Sequence, residues 1–322
     1  MRAILEVENL NLSLAVPGGI LQAIRGLSLK VETGETLCIV GESGSGKSLT
    51  ALSLMGLLPQ TAVLKSDRMH FMGHDLTRLS DREFANLRGD RISMIFQEPM
   101  TSLNPCYTIG NQLMEVYLRH KNGGTARARD RAAEILNEVG IANPETRMIQ
   151  YPHQLSGGLR QRVMIAMALI CEPNLIIADE PTTALDVTIQ LQVLSLLDSL
   201  RKKHGTAMIF ITHDLGVVAQ IATRAAVMYA GQIIETAPIE QLFKSPAHPY
   251  TRGLIDCIPA PGKTNRNQPL KTIPGEVPDL TRDLSGCAFR SRCSKAGDVC
   301  FEEIDNSEIA ANHFCQCIFP ES

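Results

Sequence analysis

The chain has 322 residues, a formal net charge of −3, 44% hydrophobic residues and 20% charged residues. This ordinary globular balance excludes disorder, collagen and coiled coil, and at ~100–200 residues per domain it suggests two domains, or one large domain with an appendage. With acidic balance, no Trp and 4% aromatics, the chain lacks the basic footprint and stacking platform of a nucleic-acid binder, so no nucleic-acid partner is expected.

The opening MRAILEVENL lacks the charged-then-apolar pattern of a signal peptide. No apolar run nears the ~18–20 residues of a bilayer span. The chain is expected neither to be secreted nor to span a membrane. Ile4–Leu14 and Ile24–Val31 alternate apolar and polar residues and read as half-buried antiparallel strands around a turn at Pro17-Gly18-Gly19. Thr36–Val40 is a short continuous apolar run, the mark of a buried parallel strand. A helix is expected over Ser48–Leu58, stopped by Pro59. A strand follows over Arg91–Phe96, then helices over Thr125–Val139, capped by Gly140, and Ser156–Leu169. Leu175–Ala178 and Ala207–Ile211 read as further buried strands. Strands alternating with helices predict an α/β fold with a mostly parallel core sheet. Past Phe243, Pro and Gly become dense and periodicity fades. That places a boundary near residue 255, with a loop-rich appendage over 256–322.

Gly41-Glu42-Ser43-Gly44-Ser45-Gly46-Lys47-Ser48 fits G-x-x-x-x-G-K-[ST] between a predicted strand and a predicted helix. Glycines let successive N–H groups turn inward on an anion, and the helix N-terminus adds partial positive charge. Lys47 supplies charge to the β- and γ-phosphates and the Ser48 hydroxyl is expected to ligate Mg²⁺; Thr50, in the first turn, joins the expected ATP-binding set. Leu175-Ile176-Ile177-Ala178-Asp179-Glu180 is an apolar strand ending in two carboxylates. Asp179 is expected to hold Mg²⁺ and Glu180 to polarise the attacking water.

Leu155-Ser156-Gly157-Gly158-Leu159-Arg160-Gln161-Arg162 precedes that strand. A phosphate loop, LSGG-x-x-QR and an apolar strand ending in Asp-Glu together resemble the ATP-binding subunits of ABC transporters. The likeness covers roughly residues 4–255. It extends to Gln97 as the Q-loop glutamine, Ala184-Leu185-Asp186 as the D-loop and His213 as the switch histidine. The resemblance implies an ABC-type P-loop NTPase. It would have an antiparallel β subdomain, a helical subdomain over about 98–170 carrying LSGG, and Mg²⁺ held by Ser48, Gln97 and Asp179. It also implies a head-to-tail dimer, with ATP between one subunit's phosphate loop and the partner's Ser156, Gly157 and Gly158, and with Asp186 nearby. Glu180, His213 and Gln97 are the implied catalytic residues. The family usually stacks adenine on an aromatic near the end of the first strand. Here Leu12-Ser13-Leu14-Ala15-Val16 has none, so loose base selectivity with measurable GTP use is expected.

Phe96-Gln97-Glu98-Pro99-Met100-Thr101-Ser102-Leu103-Asn104-Pro105 is similar to the Q-loop of the oligopeptide, dipeptide and nickel importers, and Ala247-His248-Pro249-Tyr250-Thr251 to their HPYT segment. Taken physically, His248-Pro249-Tyr250 is a turn entering a helix. Within that group the chain is most similar to the D-type ATPase. This implies a peripheral subunit on the cytoplasmic face of the bacterial inner membrane. Its implied partners are a paralogous F-type ABC ATPase, two permeases and, indirectly, a periplasmic solute-binding protein. A soluble ABC ATPase of ribosomes or DNA is disfavoured, since it usually shows two cassettes, a coiled coil or basic arms. A nucleotide-gated metal sensor has only the tail in its favour.

Nine cysteines are present; an odd count without a signal peptide argues against a disulfide framework. Cys38, Cys106, Cys171 and Cys257 are scattered and read as core or incidental. Cys287, Cys293, Cys300, Cys315 and Cys317 cluster. Their long gaps lack the C-x2–4-C knuckle of zinc sites and suit an iron–sulfur cluster better, with zinc the alternative. By likeness to the family's tails, a [4Fe–4S] cluster would use Cys287, Cys293, Cys300 and Cys317, with Cys315 an alternate.

Overall fold

A computed structural model describes residues 2–98, 102–183, 185–258, 271–282 and 284–321. Pro99–Thr101 of the Q-loop segment, Ala184 of the D-loop, and Pro259, Pro261 and Gly262 of the turn-rich stretch lie outside the described residues. The chain opens with the long strands β1 (Ala3–Val16) and β2 (Gly19–Glu32), then β3 (Thr36–Val40), buried at every position. Helix α1 (Lys47–Met55) is shorter than the sequence suggests, because Gly56 caps it by donating to Leu52 and Ser53 before Pro59 is reached. Next come β4 (Ala62–Lys65), β5 (Arg68–Phe71), β6 (His74–Asp75), α2 (Asp81–Leu87) and β7 (Ile92–Ile95). Helices α3 (Ile109–His120), α4 (Gly124–Glu138), α5 (Pro144–Met148) and α6 (Gly157–Leu169) follow in succession. Then come β8 (Leu175–Asp179), α7 (Val187–His204), β9 (Ala207–Thr212), α8 (Leu215–Ile221), β10 (Arg224–Tyr229) and β11 (Gln232–Pro238). The last elements are α9 (Ile239–Lys244), α10 (Pro249–Asp256), β12 (Ser307–Ala310) and β13 (His313–Cys315).

Two compact units result: one holds Glu32–Glu35 and Arg78–Phe210, the other Ala3–Val31, Thr36–Thr77 and Ile211–Ser322. In the first, the strands run β9-β8-β7. β7 and β8 are parallel, in register from Ile92↔Leu175 to Ile95↔Ala178. Both are buried throughout, so at ~1.5–3 kcal/mol per buried large aliphatic they anchor the unit. Helix α4 packs on α3, α5 and α6 through the apolar face carrying Ile135 and Leu136, both fully buried.

In the second unit, β2-β1-β5-β6 form an antiparallel sheet with β4 also on β1. A second set runs β12-β13-β11-β10-β3, with β10 parallel to β3 and antiparallel to β11. β13 hydrogen-bonds to β11, pairing Glu235 with Cys315 and Thr236 with Phe314, so the tail extends the strand set that carries β3. A three-residue strand has too few positions to show a period of two.

Candidate functional site

The phosphate loop leaves β3 and enters α1. At Gly41 a Cβ would lie 2.1 Å from the Met228 carbonyl oxygen, and at Gly46, with φ +103°, 2.7 Å from that of Ala23. Any side chain at either position would force the loop open. Lys47 is 4% exposed, and its Nζ donates to the Gly41 and Glu42 carbonyls at 2.8 and 2.9 Å. Its charge is thereby fixed over the loop. Ser45 is buried, Ser48 half-buried, and Ser43 and Gly44 face solvent. The Thr50 hydroxyl, fully buried, donates to the Gly46 carbonyl at 3.0 Å and braces the loop's junction with the helix. His213 is exposed just past β9, ahead of Asp214, which caps α8.

Sequence reasoning missed what holds Glu42. Its N–H donates to Tyr250 Oη at 3.0 Å. Its carboxylate accepts a two-pronged pair from Arg292, Nη1 at 2.7 Å and Nη2 at 3.0 Å. Those bonds push the Arg292 guanidinium above its ordinary range. The signal was the HPYT segment, whose tyrosine reaches back to the loop.

The carboxylate end of β8 belongs to the other unit. The parallel register brings the ends of β7 and β8 together, so Gln97 Nε2 stands 3.4 Å from Glu180 Oε2. Thr183 Oγ1 donates to the same oxygen at 2.9 Å. Glu180 holds φ +45°, a conformation that costs an ordinary side chain about 1–3 kcal/mol and persists where surroundings impose it. Asp179, 6% exposed, ends the strand. A buried glutamine also went unread. Gln161 on α6 donates to the Pro181 carbonyl at 2.6 Å, tying the LSGG helix to the turn after Glu180. Flanked by Arg160 and Arg162, Gln161 carries no signal in the sequence that sets it apart.

Ser156 caps α6, its Oγ accepting from the Leu159 N–H at 3.4 Å, and with Gly157 it is exposed. A helix N-terminus with free N–H groups there is suited to an anion brought from outside. Asp186, also exposed, caps α7 by accepting from Ile189 N–H at 3.0 Å.

In the tail, Cys287, Cys293, Cys300 and Cys317 line one small cavity with His248 and Phe289. Cys315 lies outside that lining, fully buried. The neighbouring Cys315 thiol pulls Cys317 below the ordinary thiol range. Burial pushes Cys287 up to about 11. His248 Nδ1 accepts from Tyr250 N–H at 3.0 Å, and burial lowers its pKa to about 3. The ring is therefore neutral with its proton on Nε2, and that buried nitrogen has no hydrogen-bond partner. Among the described residues no three His, Cys, Asp or Glu side chains are already gathered closely enough to form a metal-binding group.

The region 24–183 matches the ABC transporter family, and 234–300 the oligopeptide/dipeptide transporter C-terminal region. The chain is 52% identical to the oligopeptide transport ATP-binding protein OppD of Bacillus subtilis, over 93% of this chain and 84% of that one. It is 45% identical to the dipeptide transport ATP-binding protein DppD of Escherichia coli, over 99% and 97%. Among solved structures it is similar to the ATP-binding cassette MJ0796, a post-hydrolysis dimer bound to ADP and Pi. That likeness has a TM-score of 0.65 and 27% identity, over 73% of this chain and 98% of that one.

Proposed function

This chain belongs to the ABC transporter ATPases, in the branch with the oligopeptide/dipeptide C-terminal region, and from that membership we propose that it hydrolyses ATP to drive peptide import. One observation carries the reading: a single chain joins the cassette region to the importer-type C-terminal region. In this reading the loop N–H groups and Lys47 bind the phosphates. Ser48, Gln97 and Asp179 would hold Mg²⁺, which when bound offsets phosphate charge. Glu180 orients and deprotonates water, and His213 meets the γ-phosphate. The Ser156–Gly158 terminus, exposed at Ser156 and Gly157, closes on the nucleotide of a partner subunit, and Asp186 stands at that junction. Adenine meets aliphatic side chains near Leu14, so base selectivity is loose.

Among the described residues no helix is long and apolar enough to cross a membrane. In this reading the chain works as a peripheral subunit beneath two permeases on the cytoplasmic face, with a paralogous ATPase completing the dimer and a periplasmic solute-binding protein delivering cargo. Drawn from its own membranes in mild detergent, the tagged chain should bring two permeases and a second ABC ATPase, read by mass spectrometry. Recovery alone from the soluble fraction contradicts the reading.

The four-thiol cavity supports a [4Fe–4S] cluster held by Cys287, Cys293, Cys300 and Cys317. Soft thiolates suit iron–sulfur or zinc, the lining is otherwise largely apolar, and the unpartnered His248 Nε2–H offers the hydrogen bond a sulfur would accept. The bound group would staple a segment with little core of its own. Anaerobically purified protein should carry about four iron and four sulfide per chain. Zinc, or no metal, overturns the cluster.

A further inference from the structure

Glu42 is an odd residue for a loop that receives a polyphosphate. Its carboxylate is carried on the phosphate loop, and its charge would oppose a polyphosphate if left bare. The tail answers this. Arg292 is 4% exposed in its side chain and spends its whole guanidinium locally. Beyond its two bonds to Glu42, Nε donates to the Pro274 carbonyl at 2.9 Å, Nη2 to that of Ile273 at 3.3 Å, and Nη1 to Tyr229 Oη at 3.4 Å. A fork held at this many points is pre-organised, and the bidentate pair fixes Glu42 in orientation as well as charge. Tyr250 adds the second grip, on the backbone N–H of the same residue.

Both grips share a wall with the cysteine cavity. Phe289 lines that cavity and packs edge-on against Tyr229 and Tyr250, with centroids 5.4 Å away in each case. His248, on the same wall, accepts the Tyr250 N–H. Arg292 sits directly before Cys293, in the short turn Arg290–Arg292.

We propose that Arg292 and Tyr250 are positioning residues of the phosphate loop, through which the cysteine-bearing segment sets nucleotide affinity. Arg292 cancels the Glu42 charge and Tyr250 holds the loop backbone. Neither touches the nucleotide. The proposal stands on the clamp and is independent of which metal the cavity takes.

The test measures the Kd of a fluorescent, non-hydrolysable ATP with Mg²⁺ on the full-length chain. Arg292→Gln should weaken binding about tenfold, since it loses a charge-assisted pair and bares a carboxylate. Tyr250→Phe, which keeps the ring packing, should weaken it several-fold. The decisive arm is the double variant Glu42→Gln/Arg292→Gln. With the repelling charge gone, it should bind more tightly than Arg292→Gln alone, a recovery that a merely structural role would not give. Should Arg292→Gln fail to fold, Arg292→Met carries the same comparison, because it also removes the charge and bares the carboxylate while filling the space of the side-chain stem. A Kd within about twofold of wild type in the Arg292 variant, or a double variant that binds no better than the single, overturns the proposal.

Discussion

Glu180→Gln should lower ATP turnover by at least about a hundredfold, as expected for loss of a positioned general base, while nucleotide binding holds. The substitution is nearly isosteric. An amide oxygen can still accept from Thr183, which now stands 2.9 Å from the carboxylate. What disappears is basicity toward water. The φ of +45° at Glu180 shows that the turn after β8 is imposed by its surroundings, and the Gln161 bond to Pro181 is one such constraint. The variant therefore keeps its geometry and loses only its chemistry. With closure intact and hydrolysis blocked, ATP should accumulate in a dimer. Steady-state turnover together with size-exclusion chromatography in MgATP reads both effects. Unchanged turnover contradicts the role given to Glu180.

Lys47→Ala should abolish measurable nucleotide binding. Hydrogen bonds to charged groups are worth about 1.5–3 kcal/mol each, and in the proposed function Lys47 serves two phosphates, so at least about a hundredfold loss in affinity is expected. The buried ammonium also bridges the Gly41 and Glu42 carbonyls, which the alanine leaves without that donor. Lys47→Met preserves side-chain bulk and separates the two losses. It should bind nucleotide as poorly as the alanine while unfolding at a temperature nearer to wild type. Titration with labelled ATP and thermal melting supply the two readouts.

The parts legible in sequence were those with local grammar. β3, the phosphate loop and β8 are contiguous runs, and each formed within a residue or two of its expected bounds. Gln97 and Glu180 were each singled out at a strand end; that they meet follows from the parallel register of β7 and β8. What escaped depends on contacts far apart in the chain. Arg292 reaches Glu42 across 250 positions, and nothing in either neighbourhood announces the other. Gln161 reads as an ordinary helix residue until the Pro181 carbonyl is seen. The tail strands were invisible because β13 owes its pairing to β11, far back in the chain, and β12 pairs on β13. His248 and Tyr250 looked like a turn entering a helix, and they do cap and open α10. Their outer atoms, Nε2 and Oη, carry the consequence.

The central claim is that ATP spent at this phosphate loop moves a peptide across a membrane. The most direct measurement is ATP-driven uptake of a labelled peptide by the purified complex in proteoliposomes, with wild-type chain and with Lys47→Ala. Wild type should accumulate peptide only when ATP is supplied on the side of this subunit, and Lys47→Ala should not accumulate it. Uptake that survives Lys47→Ala, or ATP hydrolysis with no peptide moved, would contradict the claim.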